Sequence, residues 1–212
     1  MDMQLIKNIA YKEMSNKKSH NFKEKGNKYY HGERVAALAL KLRKIILPND
    51  NSQDDIIIVA AWFHDIMNGT GDNTKHPENG ALKTKKLLSP YCTNDELSKI
   101  CEIIYSHDDR YSQRDKFSIY IKLHQDADHL DHFGTFDVWI SIVYAVPHGQ
   151  TINDVRNWLC NERPLKNEQY RNELNFEISK KIFDEKMEFL KYFTDRFSVE
   201  SQGGIWDEKK FV

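Results

Sequence analysis

The spacing of apolar residues limits this chain more than any other feature. Long stretches repeat with helical period, and only five prolines and nine glycines interrupt 212 residues. Residues 29–47 set His31, Val35, Leu38, Leu42 and Ile45 on one stripe, and "LPNDNS" ends it, as an amphipathic helix requires. Residues 53–66 hold "IIIVAAWF", apolar on every side, which predicts a helix at the centre of the protein. The stretch 67–77 reads as a loop, with Pro77 the first residue of a helix to about Leu88. Thr93 and Glu96 form a capping box for a helix to about Ser106. Two more helices are expected over 115–132 and 134–146, closed by Pro147. An irregular stretch over 148–165 comes next. A long amphipathic segment then runs from about Asn167 to Phe197, striped by Ile178, Ile182, Leu190, Phe193 and Phe197. There is no internal repeat, hairpin signal or Gly-rich phosphate loop. The expected fold is all-α, and strand-borne catalytic motifs are excluded.

Composition narrows the class further. A chain of 212 residues with 40% hydrophobic and 12% aromatic content builds one sizeable core, so a single domain over 1–212 is expected. A formal charge of −1 leaves no basic block for a long nucleic acid or an anionic membrane, and "KEKGNK" (23–28) and "KTKK" (83–86) read as solvated faces. Cys92, Cys101 and Cys160 are far apart and lack a CxxC, which fits a reducing compartment rather than a disulfide framework or a cysteine zinc site. "MDMQLIKNIAYKEM" is too polar for a signal peptide, so a cytoplasmic protein is expected.

Chemistry enters at the end of the apolar helix, where His64 and Asp65 follow Phe63. Taking a carboxylate out of water is costly unless it finds a partner. Of the nine histidines, His20 lies in a polar N-terminal region and His148 in a turn, while His124, His129 and His132 lie near acidic residues that account for them by simple pairing. Four are placed otherwise. His31 opens an apolar stripe, His64 shares a face with Ile57 and Ala60, His107 follows Ile104 and Ile100, and His76 precedes Pro77 at a helix start. Several inward histidines with Asp65 suit a divalent cation, whose charge compensates the buried aspartate. "HQDADHLDHFG" (124–134) offers Asp126, Asp128 and Asp131 on one helix. Asp128 has Ile121 on its face and is the better ligand; Asp126, with Lys122 four residues before it, is the runner-up.

The order His31, His64-Asp65, then an aspartate in "ADHL" resembles the HD superfamily of metal-dependent phosphohydrolases. The resemblance implies an all-α helical bundle with His31, His64, Asp65 and Asp128 as the first metal shell. It also implies a metal-site core over about 25–145, with the helical segment of about 167–198 packed on it. "HPENGA" (76–81) and "IIYSH" (103–107) resemble the extra histidines of HD branches that hold a second metal, implying one or two ions with His76 and His107 at the second. "QDADHLDHFG" with "ISKKIFDEKMEFLKYF" (178–193) is similar to small stand-alone bacterial HD hydrolases, some linked to nucleotide pyrophosphate hydrolysis. The chain departs from other branches. It lacks a GYP motif, carries Asn68 and Gly69 where an "HDxxED" pattern needs acids, and has no nucleotidase-type glutamate after the HD pair.

A phosphohydrolase of a small nucleotide or related phosphate ester is therefore expected, with Asp65, His76 and His107 at the chemistry and Lys75, Arg110 and Lys122 as phosphate partners. The mixed imidazole and carboxylate set accepts Mn, Mg, Fe, Co, Ni or Zn. Trp62, Phe63, Tyr105, Tyr111 and Phe133 lie near these residues in sequence and are candidates to stack a base. Two rival classes share the motif: a nucleotide-binding HD sensor without catalysis, and a di-iron HD oxygenase.

Overall fold

The computed structural model describes residues 1–18, 24–69, 73–112 and 114–210. His20 and residues 70–72 of the expected 67–77 loop lie outside the described residues. Apart from an isolated bridge between Lys18 and Lys25, regular structure among the described residues is helical, so the fold is all-α. No helix among the described residues is long and apolar enough to cross a membrane. The three cysteines are free. The chain divides into two compact units, Met1–Asp131 and His132–Val212.

The first unit holds α1 (Met3–Met14), α2 (Asn27–Ile46), α3 (Asp54–Phe63), α4 (His76–Leu88), α5 (Asn94–Ser106) and α6 (Ile119–Asp131). At its centre is α3, with Ile57, Val59, Ala60, Ala61 and Phe63 wholly buried and α1, α2, α5 and α6 packed around it. Each large side chain buried there contributes roughly 1.5–3 kcal/mol. The helix stops at Phe63 rather than at 66, so His64 is its cap and Asp65 lies in the turn that follows. The expected capping box of α5 is present, with Thr93 and Glu96 each meeting the other's backbone N–H. α1 is a helix not expected from the sequence; Asp2 caps it by accepting from the Leu5 N–H, and Ile6, Ala10 and Met14 are buried.

The inner face of α2 differs from the expected stripe. Ile45 is exposed and Leu38 only half-buried, while Ala36 and Ala39 join His31, Val35 and Leu42 inside. Small residues let two helices approach closely, so the packed face is not the bulkiest one. Gly32 marks the closest approach: a Cβ there would lie 2.7 Å from the Ala61 carbonyl oxygen of α3. Arg43, nearly buried, donates to Asp54 at 2.5 Å and fastens the end of α2 to the start of α3.

The second unit holds α7 (Thr135–Ala145), α8 (Ile152–Asn157), α9 (Asn167–Asn172) and α10 (Glu177–Glu200). Residues 148–165, expected to be irregular, are largely helical: Thr151 and Asp154 cap α8, and a π turn over Trp158–Glu162 continues it. Only Leu159 of these two elements is buried, too little for a period to show in the sequence. The segment expected to run unbroken from Asn167 divides at 173–176. Its long part, α10, buries Ser179, Phe183, Leu190 and Thr194, one position away from the expected Ile178–Ile182 face. Two small polar residues on that face hid it from a count of apolar side chains. Arg163 is buried between the rings of Phe133 (4.9 Å) and Tyr170 (4.7 Å) and donates to Asp137 at 2.7 Å. Packing, hydrogen bonding and cation–π attraction thus offset the burial of its charge.

Candidate metal centre

Three histidines stand at helix ends and are fixed in the same way. His64 caps α3, His107 caps α5 and His76 opens α4. Each places Nδ1 on the carbonyl three residues earlier: His64 on Ala61 at 2.8 Å, His107 on Ile104 at 2.7 Å and His76 on Asn73 at 2.8 Å. A carbonyl only accepts, so Nδ1 carries a proton and Nε2 is the ring nitrogen turned inward. His31, on α2, is fixed by a carboxylate instead, with Nδ1 2.8 Å from Asp131 Oδ2.

The inward atoms converge. His31 Nε2 lies 3.2 Å from His64 Nε2 and 3.0 Å from Asp128 Oδ1, and His64 Nε2 lies 3.5 Å from that same oxygen. On the other side, His76 Nε2 is 3.1 Å from His107 Nε2, and the two are 3.6 and 3.9 Å from Asp65 Oδ1. Donors at ~2.1 Å from a first-row ion, spread by about 90–109°, stand about 3.0–3.4 Å apart. Of two buried groups that share His64, His31–His64–Asp128 comes close to this spacing, at 3.0–3.5 Å, while His64–Asp65–His107 is wider, with Asp65 3.9 Å from each imidazole nitrogen. Burial, with His64 alongside, pushes His107 down to about 4, so its ring is neutral at pH 7. His76 and His107, each with Nδ1 held on a carbonyl, turn their Nε2 atoms toward each other across 3.1 Å, a spacing that two ligands of one cation would have. The donor set fits a divalent metal.

Cations surround the carboxylates. The Lys28 ammonium is 2.6 Å from Asp65 Oδ2. Arg110 donates to Asp128 Oδ2 at 2.9 Å and to the Gln125 carbonyl at 2.7 Å, while Arg34 holds Asp131 through both oxygens. Burial works against ionising Asp65, yet Lys28 and the neighbouring histidines hold its carboxyl well below the usual range. Burial likewise lowers His31, but Asp128 and Asp131 on its two ring nitrogens more than offset this and raise it to about 9. Asp131, pushed up by burial, is brought down to about 2 by His31 and Arg34.

These shifts predict a pH profile. A raised histidine adds stability fully present below its ordinary 6.5 and lost as pH climbs through about 9. A depressed carboxylate adds stability present above its ordinary 3.8 and lost as pH falls toward about 2. His107, held neutral by burial, adds the opposite slope, since its protonation costs stability as pH falls from 6.5 toward about 4. EDTA-treated protein is thus expected to melt highest near pH 6.5 and to decline on both sides. A melting temperature that stays level from 6.5 to 9 would remove the His31 network from this account.

Of the residues expected at the site, His31, His64, Asp65, His76, His107 and Asp128 come together in one buried cluster. Asp126 is fully buried but belongs to neither donor group, since two residues along a helix turn it about 200° away from Asp128. Arg110 braces Asp128. Lys122 lies about 120° around α6 from Asp128, and Lys75 is exposed just before His76. Lys28, from a stretch read as solvated, takes a place on Asp65 instead. Among the aromatics, Phe63 and Phe133 are core residues and Trp62 is buried, leaving Tyr105 and Tyr111 exposed. His124 is also a correction. Acidic neighbours do not account for it: the ring is wholly buried with neither nitrogen partnered, 5.1 Å from the ring of His64. The sequence carried the signal, since Ile121, His124, Asp128 and Asp131 fall on one face of α6.

An all-helical protein with a buried imidazole and carboxylate cluster fit for a divalent ion is the class these observations define. Residues 29–132 match the family model of the HD domain. The chain thus carries an HD domain over those residues. Among solved structures it is similar to Bacillus subtilis YpgQ in complex with ADP, at 19% identity and TM-score 0.64, over 92% of this chain and 95% of that one. It is also similar to an HD-superfamily hydrolase from Bacillus thuringiensis, at 20% identity and TM-score 0.66, over 94% and 96%. At such identities the likeness is one of fold. Comparison with curated protein sequences finds no match.

Proposed function

We propose that this protein is a metal-dependent phosphohydrolase of a small nucleotide or related phosphate ester. The observation that carries the reading is the pair of donor groups sharing His64, with the Nε2 atoms of His76 and His107 facing each other at 3.1 Å. In this reading His31, His64, Asp65 and Asp128 hold one divalent ion, and His76 and His107 hold a second. Asp65 lies between them: Oδ1 faces His76 and His107, and Oδ2 is 3.9 Å from His64 Nε2. A divalent ion supplies Lewis-acid polarisation of a phosphoryl oxygen and makes water acidic enough to ionise near neutral pH.

The chain's own groups do the rest. Arg110 and Arg34 orient Asp128 and Asp131, and Asp131 in turn fixes the His31 ring, the kind of outer support that sharpens a metal site. Lys28, about one-fifth exposed on Asp65, is the cation best placed to meet an incoming phosphoryl oxygen. The ADP bound to YpgQ supports a nucleotide as the substrate class. A formal charge of −1 with no basic stripe speaks against a long polyanion.

The test is metal analysis of purified protein followed by a panel of mono- and dinucleotides with Mn²⁺, Mg²⁺, Co²⁺ and Ni²⁺. Release of phosphate or pyrophosphate that EDTA abolishes is expected, with no turnover of DNA or RNA. Oxygen uptake by an iron-loaded protein that ignores every nucleotide would replace this reading with the oxygenase. Tight nucleotide binding without turnover would replace it with the sensor.

A further inference from the structure

His124 is not tethered like the histidines around it. His31, His64, His76 and His107 each commit Nδ1 to a carboxylate or carbonyl, whereas both ring nitrogens of His124 are buried without a hydrogen-bond partner. Leaving a buried polar group unpaired is destabilising, a cost that leucine at the same place would avoid. Its surroundings are the donor groups themselves. The ring stands edge-on to His64 at 5.1 Å and to His107 at 6.2 Å between centroids, and its α6 position is one turn before Asp128, on the same face. His64 and His107, 5.1 Å apart, both belong to the group completed by Asp65. Three imidazoles thus meet at that group, and no hydrogen bond holds the third in its present rotation.

We propose that His124 supplies a further metal-ligating nitrogen beside the donor group of His64, Asp65 and His107, reached by rotation of its untethered ring. The inference rests on the metal reading above and deepens it. A third imidazole turns a mixed shell into a nitrogen-rich one, which favours Zn²⁺, Co²⁺ and Ni²⁺ over Mg²⁺.

The test is Co²⁺ and Mg²⁺ titration of EDTA-stripped protein by calorimetry, with the visible spectrum of the Co²⁺ form, for wild type, His124→Leu and His124→Asn. His124→Leu is expected to weaken Co²⁺ binding by at least ~10-fold, to shift the d–d bands, and to leave Mg²⁺ affinity nearly unchanged. Circular dichroism shows whether each variant is folded; if the leucine variant is not, His124→Asn, which keeps a polar group of similar reach, carries the comparison. Unchanged Co²⁺ affinity and spectrum in a folded variant, with a higher melting temperature for stripped His124→Leu, would make His124 a core residue and overturn the inference alone. Wild-type protein that takes up no Co²⁺ would overturn the metal reading, and this inference with it.

Discussion

Asp65→Asn protein is expected to fold, to hold less than half the metal of the wild type, and to lose on the order of 10³-fold of its hydrolysis. The substitution keeps the size of the side chain and one oxygen but removes the charge. That charge faces two directions, toward His76 and His107 through Oδ1 and toward His64 and Lys28 through Oδ2. One change should therefore weaken both donor groups together, which no imidazole replacement outside His64 would do. Folding should survive because the main partner left behind, Lys28, is partly exposed and can turn its ammonium to water, making the pair worth little to stability. Asp126→Asn is the matched control. It is just as buried, so the change is expected to lower stability, but it lies outside both donor groups and the metal should remain. Metal content by mass spectrometry, with melting temperature beside it, separates the two variants. Full metal and full activity in Asp65→Asn would end the reading of Asp65 as the shared carboxylate.

Much of the cluster was legible because it is built at the ends of helices with strong period. His31 heads a stripe, His64 ends the most apolar run, and His107 follows two buried isoleucines, so an inward direction could be read for each. The turn after α3 was less legible, since nothing in "FHDIM" stops a helix, and the chain there bends to serve the cluster. Lys28 and His124 were misread for opposite reasons. Lys28 sits in a run of lysines and glycine that resembles any solvated surface, yet it is one turn before His31. His124 has acidic neighbours in sequence, but Asp126 turns away around α6, and Asp128, on the same face, is bound by His31 and Arg110 instead. What decided both was the angle around the helix rather than the company along the chain. In the second unit that angle failed, because Ser179 and Thr194 carry the buried face of α10 where larger apolar residues stand one position away.

The last expected result concerns a residue with no functional group. Gly32→Ala should destabilise the protein by about 1–2 kcal/mol and weaken metal binding, although the same change within a helix ordinarily stabilises by roughly 0.5–1 kcal/mol. The helical gain is real but is outweighed. The new Cβ would stand 2.7 Å from the Ala61 carbonyl oxygen and 3.2 Å from the Trp62 Cα, both backbone atoms that move only with the whole of α3. Overpacking of this kind costs about 1–3 kcal/mol. The same Ala61 oxygen accepts the Nδ1 proton of His64, and His31 is the residue next to Gly32. Pushing α2 and α3 apart therefore lengthens the 3.2 Å separation of His31 and His64 Nε2 and loosens the bond that fixes the His64 ring. Chemical denaturation and Co²⁺ titration of Gly32→Ala should fall together, while Gly149→Ala, where nothing lies within 4 Å of a Cβ, should leave Co²⁺ affinity unchanged. A Gly32→Ala protein as stable as the wild type, with its metal affinity intact, would show that α2 and α3 yield at this contact without disturbing the histidines they carry.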